Sequence, residues 1–167
     1  METRRLPLDG VRVLDFSRVI AGPTCSMALG DLGADVIKVE HPDRGDDTRD
    51  YGLRVGRTET TYFNSMNRNK RSITLDLQRE EDRDTARELV RQCDVVVQNF
   101  KAGGMAKMGL AYEDLKAIKP DIVYCSITGY ASDGMEAQRP GYDIVIQGEA
   151  GLMAINGDAH LPPLKFG

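Results

Sequence analysis

Four short apolar runs recur along the chain and predict β-strands. They are rich in β-branched residues, and polar or glycine residues bound each of them. Runs this uniformly apolar are typical of strands buried on both faces, as in a parallel sheet. The runs are residues 11–16, 34–40, 94–100 and 121–127. A fifth run, residues 72–77, alternates apolar and polar positions and predicts an edge strand.

Helical patterns separate these runs. Residues 22–32 begin with a Gly-Pro pair and end before Gly33, a residue type that often stops a helix. Residues 79–93 combine a highly charged side with a narrow apolar stripe, and residues 112–118 form a short helical pattern. Alternation of strand and helix predicts right-handed βαβ units. The predicted fold class is therefore α/β, with a Rossmann-like parallel sheet and flanking helices.

Two segments carry weaker patterns. Residues 43–69 are polar, contain glycine and have no helical period, so they predict a long functional loop. Residues 164–166 follow Pro162 and Pro163 and predict the beginning of a further strand. On this interpretation the chain stops as a strand begins.

Composition narrows the class of protein. With 41% apolar and 29% charged residues, the 167-residue chain has the make-up of a folded domain rather than a disordered tail. A net charge of −4 argues against nucleic-acid binding. Three widely spaced cysteines and two histidines favour neither a disulfide framework nor a metal site. Residues 1–10 lack the apolar core of a signal peptide, and no run has the length of a membrane span, so we expect a cytoplasmic or organelle-matrix protein.

Candidate chemistry lies where the predicted strands end, because ligands of open α/β sheets bind beyond the carboxyl ends of the strands. This rule selects residues 17–23, His41, residues 99–100 and residues 128–130 as the lining of one crevice. A helix begins directly behind residues 17–23, so backbone N–H groups there suit a phosphate or a carbonyl oxygen. An ordinary strand-to-helix turn would have the same pattern. Neither a dinucleotide fingerprint nor a P-loop motif is present.

Three further features have more than one interpretation. Residues 67–71 place three cations beside two amides, which suits a polyphosphate ligand or a solvated loop. His41 is a base, a ring-stacking group or a turn residue, whereas His160 is expected in an exposed turn. Asp143 precedes an apolar run, so it is a partly buried carboxylate suited to proton transfer, a helix N-cap, or both.

Taken together, these motifs resemble the class III CoA-transferases (the CaiB/BaiF family), which also include α-methylacyl-CoA racemases. The matching stretches are residues 8–15, 18–23, 29–40, 45–49, 67–73, 99–100, 108–110, 124–130 and 139–143. The resemblance implies the amino-terminal part of a large CoA-binding domain over residues 1–167, without the small domain and the carboxyl-terminal return. It also implies an interlocked homodimer, with acyl-CoA and a carboxylic acid as substrates, no permanently bound cofactor, no metal, and no nucleic acid or membrane as partner.

Site residues follow from the resemblance by position. Those implied to contact CoA are Val19, Ile20, Ala21, His41, Leu75, Asp76, Leu77, Gln78, Asn99, Phe100, Lys101, Lys107, Met108 and Pro140, with Tyr142 and Asp143 in a supporting role. Some family members carry arginine at the positions of His41 and Lys107.

The resemblance also implies covalent catalysis, in which an aspartate forms an anhydride and then a thioester with CoA. That aspartate is expected just after Gly167, so residues 1–167 alone are expected to be inactive and to expose apolar surface. Tyr142 stands where racemases tend to carry histidine, and Ile20 stands where formyl-CoA transferases carry glutamine. Residues 45–49, 67–73 and 124–130 look most like succinyl-CoA-dependent dicarboxylate transferases. The alternatives are an acyl-CoA racemase or epimerase, and a non-catalytic CoA-binding fragment.

Overall fold

A parallel sheet forms the centre of the computed structural model, which describes residues 5–158 and 160–166. Within these residues five strands pair in the order β3-β2-β1-β4-β5, and every pairing is parallel. The strands are β1 Arg12–Asp15, β2 Asp35–Glu40, β3 Lys70–Thr74, β4 Val95–Gln98 and β5 Val123–Ser126. The α-helices are α1 Ala21–Asp31, α2 Thr61–Asn67, α3 Glu80–Val90, α4 Tyr112–Ile118, α5 Asp143–Glu149 and α6 Leu152–Ile155. The predicted fold class is confirmed.

The strand order reverses at β1. The chain proceeds outward from β1 to β2 and β3, then crosses back to place β4 on the other side of β1. A crevice at the carboxyl ends of the strands is expected at such a reversal, here between β1 and β4.

The two faces of the sheet differ in chemistry. On one face Leu14, Phe16 and Val96 belong to an apolar cluster that also contains buried residues of α3 and α4. The other face has a smaller apolar cluster around Val13 and Val36. Because strand side chains alternate, the next residues on that second face are Asp15 on β1 and Lys38 and Glu40 on β2, and all three are buried.

Two of the predicted elements need correction. Residues 43–69 are not one long loop, since they contain a 3₁₀ helix, Asp47–Asp50, and the α-helix α2. The Thr60 hydroxyl caps α2 by accepting the Phe63 N–H at 3.1 Å. A helix of seven residues with few buried positions leaves too short a pattern for periodicity to detect. The edge strand is confirmed, but it begins at Lys70 and ends at Thr74.

The chain divides into two compact units, Met1–Ile127 with the sheet and Thr128–Gly167. In the second unit the predicted strand at residues 164–166 is wrong for the described residues, because Phe166 pairs with a side chain instead of a strand. Its N–H donates to Gln147 Oε1 and its carbonyl accepts from Gln147 Nε2, both at 2.8 Å. Among the described residues no helix is long and apolar enough to cross a bilayer.

Candidate functional site

The loop after β1 is held first by Asn99, which follows β4. The Asn99 side chain accepts the Arg18 N–H at 2.8 Å and donates to the Arg18 carbonyl at 2.7 Å. The Arg18 guanidinium carbon lies 5.0 Å from the centre of the Phe100 ring, a cation–π distance. The loops after β1 and β4, predicted to line one crevice, are thus joined directly.

The same loop is held from its other side by two buried charged residues. Lys38 Nζ donates to the Ser17 carbonyl at 2.9 Å and lies 2.8 Å from Asp46 Oδ2. The Asp46 carboxylate in turn accepts the Val19 N–H at 3.2 and 3.3 Å. Both charged side chains are almost inaccessible, at 1% and 0% exposure. Three consecutive residues of this loop therefore have fixed backbone hydrogen bonds.

Val19 has a strained backbone. Its φ of +68° lies in the left-handed region, which is a genuine outlier for a β-branched residue. Such conformations cost about 1–3 kcal/mol and persist where the surroundings over-determine them. The hydrogen bonds to Asp46 and to its neighbour Arg18 supply that determination.

Directly after Val19 the chain offers free backbone donors. Among the described residues no acceptor is found for the N–H groups of Ile20, Ala21 and Gly22, and Ile20 has no side-chain cap. They lie at the amino terminus of α1, where the helix dipole favours partial negative charge. A Cβ on Gly22 would lie 2.1 Å from Ser17 Cβ, so only glycine permits this close turn. The arrangement suits an anionic or carbonyl oxygen.

A buried ionic network underlies this loop on the second face of the sheet. It contains three ion pairs in which each positive side chain contacts a carboxylate, so that buried charge is compensated. The pairs are Lys70–Asp15 at 3.1 Å, Lys38–Asp46 at 2.8 Å and Arg49–Glu40 at 2.6 Å. Every side-chain N or O atom buried within the described residues has a hydrogen-bond partner.

Asp46 and Glu40 in this network have lowered pKa values, and Lys70 has a lowered pKa as well. Burial raises the pKa of Asp46, but the Lys38 ammonium and the Thr48 donors outweigh it, so the pKa lies below its ordinary value. Burial also raises the pKa of Glu40, but the hydrogen bonds from Arg49 and Ser72 have the opposite effect, and the resulting pKa lies below its ordinary value. For Lys70, burial and the nearby Lys38 ammonium lower the pKa, and together they outweigh the opposing effect of the Asp15 and Asp46 carboxylates.

Sequence reasoning missed Lys38 and Asp46 as site residues. A signal was present, because a lysine inside the apolar run of residues 34–40 must find a charged partner once the strand is buried. The sequence did not indicate that Asp46 is the partner of this lysine, since Asp46 lies beyond the strand in the segment predicted as a loop.

His41 lies in a turn at the carboxyl end of β2. Its Nδ1 accepts the Asp43 N–H at 3.2 Å and its carbonyl accepts the Gly45 N–H at 2.9 Å. Beside it a cleft of about 490 Å³ opens, lined by four arginines that sequence reasoning did not single out. They are Arg44, Arg49, Arg54 and Arg57.

The other residues implied to contact CoA in the first unit follow β3 and β4. The Leu75 and Leu77 side chains are buried in the apolar cluster. The Leu75 N–H donates to the Glu40 carbonyl at 2.9 Å, and the Leu77 carbonyl accepts from Arg83 at 3.1 Å. Between them Asp76 uses its carboxylate to accept the Gln78 N–H at 3.0 Å. Beyond β4, Phe100 and Met108 pack partly against the same cluster, while Lys101 and Lys107 are exposed.

The cationic cluster at residues 67–71 is neutralised by carboxylates. Arg68 pairs with Asp31, Arg71 pairs with Asp35 at 2.6 Å, and Lys70 is buried against Asp15. The polyphosphate interpretation is therefore not supported, and neither is a freely solvated loop, because Lys70 belongs to the buried network.

In the second unit, Pro140, Tyr142 and Asp143 are exposed. Asp143 is the first residue of α5 and Tyr142 is the N-cap, so the predicted N-cap role and the partial burial of Asp143 are both wrong. The Asp143 carboxylate instead accepts from Gln147 Nε2 at 2.7 Å within the helix. His160 is exposed in a turn, as predicted.

Two glycines join separate motifs of the second unit. A Cβ added to Gly129 would lie 2.4 Å from Gly141 Cα, and the converse distance is 2.6 Å. Residues 128–130 and 139–143 therefore pack backbone against backbone, which any side chain at either glycine would prevent.

A doubly wound parallel sheet with a fixed, donor-rich loop at its reversal point defines a ligand-binding α/β protein, and sequence comparison supplies the family. The model of CoA-transferase family III matches residues 8–167, and the chain belongs to this family. A CAIB/BAIF family protein from Brucella suis superimposes with a TM-score of 0.92 at 49% identity, over 98% of this chain and 44% of that one.

Two curated relatives extend the comparison. Succinyl-CoA:glutarate CoA-transferase of Homo sapiens is 49% identical over 96% of this chain and 37% of its own length. Succinate–glutarate CoA-transferase of Agrobacterium fabrum is 45% identical over 100% of this chain and 43% of its own length. The chain thus spans about two-fifths of the curated relatives it matches.

Proposed function

We propose that the full-length gene product moves CoA from an acyl-CoA to a carboxylic acid, with succinyl-CoA as donor and a dicarboxylic acid such as glutarate as acceptor. Family membership and the names of the relatives support this proposal. The structural observation that carries it is the fixed loop after β1, where the N–H groups of Ile20 and Ala21 have no acceptor among residues 5–158 and 160–166. We also propose a cytoplasmic or organelle-matrix location and an interlocked homodimer.

In this proposal the carboxyl edge of the sheet holds the CoA thioester. The N–H groups of Ile20 and Ala21 donate to an oxygen of the bound thioester, where preorganised donors stabilise charge that develops during acyl transfer. His41, Asn99 and the backbone of residues 75–78 line the rest of the crevice.

The proposed reaction uses an aspartate outside residues 1–167. Its carboxylate attacks the thioester carbonyl and the C–S bond breaks. CoA departs as the thiolate, and the acyl group and the aspartate are then joined as an anhydride. The thiolate then attacks the aspartyl carbonyl, which releases the donor acid and forms an aspartyl-CoA thioester. The acceptor carboxylate displaces the thiolate to give a second anhydride, and thiolate attack on the acceptor carbonyl releases the new acyl-CoA and the free aspartate.

The test is to incubate the full-length protein with succinyl-CoA and glutarate and to follow glutaryl-CoA by mass spectrometry. Transfer is expected, together with a protein adduct of CoA mass during turnover; a polypeptide of residues 1–167 is expected to give neither. Absence of transfer to any dicarboxylate would overturn the proposal. Deuterium uptake from D₂O at the α-carbon of a 2-methylacyl-CoA would indicate a racemase, and CoA binding without turnover would indicate a binding protein.

A further inference from the structure

We propose that Asp46, held in place by Lys38, is a positioning residue that fixes the backbone of Val19 and so aims the N–H groups of Ile20 and Ala21. The inference rests on the proposed function, because CoA is the ligand proposed for those donors. Asp46 is 1% exposed, and its carboxylate accepts the Val19 N–H, so it acts on the two donors through Val19.

The surroundings of Asp46 leave its carboxylate no freedom. Oδ1 accepts the Thr48 N–H at 3.0 Å and the Thr48 hydroxyl at 2.7 Å, and Oδ2 lies 2.8 Å from Lys38 Nζ. Both oxygens share the Val19 N–H. The backbone N–H of Asp46 is held as well, since it donates to Glu40 Oε2 at 3.1 Å.

Lys38 ties this carboxylate to the sheet. It lies on β2, in register with Asp15 on β1, so its position is set by strand pairing. Its ammonium group contacts the Ser17 carbonyl and Asp46 together. Movement of Asp46 would therefore break the buried ion pair as well as the contact with Val19.

A positioning residue is needed because the backbone conformation of Val19 is strained. A valine at φ +68° is strained and would relax to negative φ if its N–H lost its acceptor. That rotation would turn the following peptide groups, which carry the free donors of Ile20 and Ala21. Glycine adopts positive φ at little cost, so Val19→Gly should reduce the dependence on Asp46.

The test compares Asp46→Ala, Val19→Gly and the double variant in the full-length protein. Two quantities are measured: the dissociation constant of CoA by calorimetry, and amide hydrogen exchange of the peptide covering residues 16–22. Asp46→Ala is expected to weaken CoA binding about tenfold and to accelerate exchange at Val19. The double variant is expected to recover most of the affinity. Val90→Ala, a buried change on α3 in the opposite layer, is the matched control and is expected to lower the melting temperature without altering affinity.

Unchanged CoA affinity and unchanged exchange in Asp46→Ala would overturn the inference. Equal loss of affinity in Asp46→Ala and in the double variant would also overturn it, because a general loss of structure is not rescued by glycine at position 19. A wild-type protein that does not bind CoA would overturn the proposed function, while faster exchange at Val19 in Asp46→Ala would still support the positioning role.

Discussion

Asn99 and Arg18, 81 residues apart in sequence, form a two-bond clasp in which one amide side chain satisfies both the N–H and the carbonyl of one residue. Asparagine is suited to this role because it carries a donor and an acceptor on the same planar group. The clasp joins the loop after β1 to the loop after β4 at the point where the strand order reverses, and so places the loop after β1.

Replacement of Asn99 should loosen this loop. Asn99→Ala removes both hydrogen bonds and is expected to lower the free energy of unfolding by about 1–3 kcal/mol, since each contributes about 0.5–1.5 kcal/mol. Asn99→Asp keeps the acceptor and loses the donor. Its free energy of unfolding should therefore lie between those of the wild type and Asn99→Ala. Urea unfolding measures the change, and the exposed Asn64→Ala on α2 is the matched control. Equal stability of wild type and Asn99→Ala would contradict the assigned role.

Acid should destabilise the protein through Glu40 and Asp46. Their pKa values in the folded state are lowered, so the stabilisation is present above the unfolded carboxyl pKa of about 4 and is lost as pH falls through the folded values. Urea midpoints between pH 7 and pH 2 should decline below about pH 4.5. Glu40→Gln should be less stable at pH 7 and show a shallower decline, and an equally steep decline would contradict the assignment.

Alkali should destabilise the protein through Tyr124 and Cys93. Burial raises the pKa of Tyr124 to about 12 and that of Cys93 to about 11. Unfolded cysteine ionises near pH 9 and unfolded tyrosine near pH 10, so stability is complete below about pH 9 and falls as pH rises towards 12. Absorbance at about 295 nm should show one tyrosine that ionises last, and Tyr124→Phe should abolish that late step. A titration unchanged by Tyr124→Phe would disprove the assignment.

Two glycine substitutions should distinguish the effect of a steric clash at a closely packed glycine from the ordinary effect of helix propensity. Gly22→Ala forces a Cβ against Ser17 at the start of α1 and should destabilise the protein by about 1–3 kcal/mol, as overpacking does. Gly148→Ala in α5 meets nothing within 4 Å and should be neutral or stabilising by up to about 1 kcal/mol. Thermal unfolding of both variants measures the difference, and a stable Gly22→Ala variant would show that the turn adopts another conformation.

Much of the fold was readable from the sequence because it depends on local patterns. The four apolar runs predicted β1, β2, β4 and β5 within one or two residues, and residues 112–118 matched α4 at both ends. Helix α2 was not predicted, because its seven residues depend on one cap and two buried side chains instead of a repeated pattern.

The sequence by itself determined the α/β class, the order of the five strands with α1, α3 and α4, and the motifs that place the chain in its family. Only the tertiary structure decided which charges meet. It neutralised the cations of residues 67–71 and exposed Asp143, and it joined Lys38, Asp46 and Val19 into one unit. The reason is that periodicity reports the environment of a residue along its own helix or strand, whereas these contacts arise from the strand order that brings distant segments together.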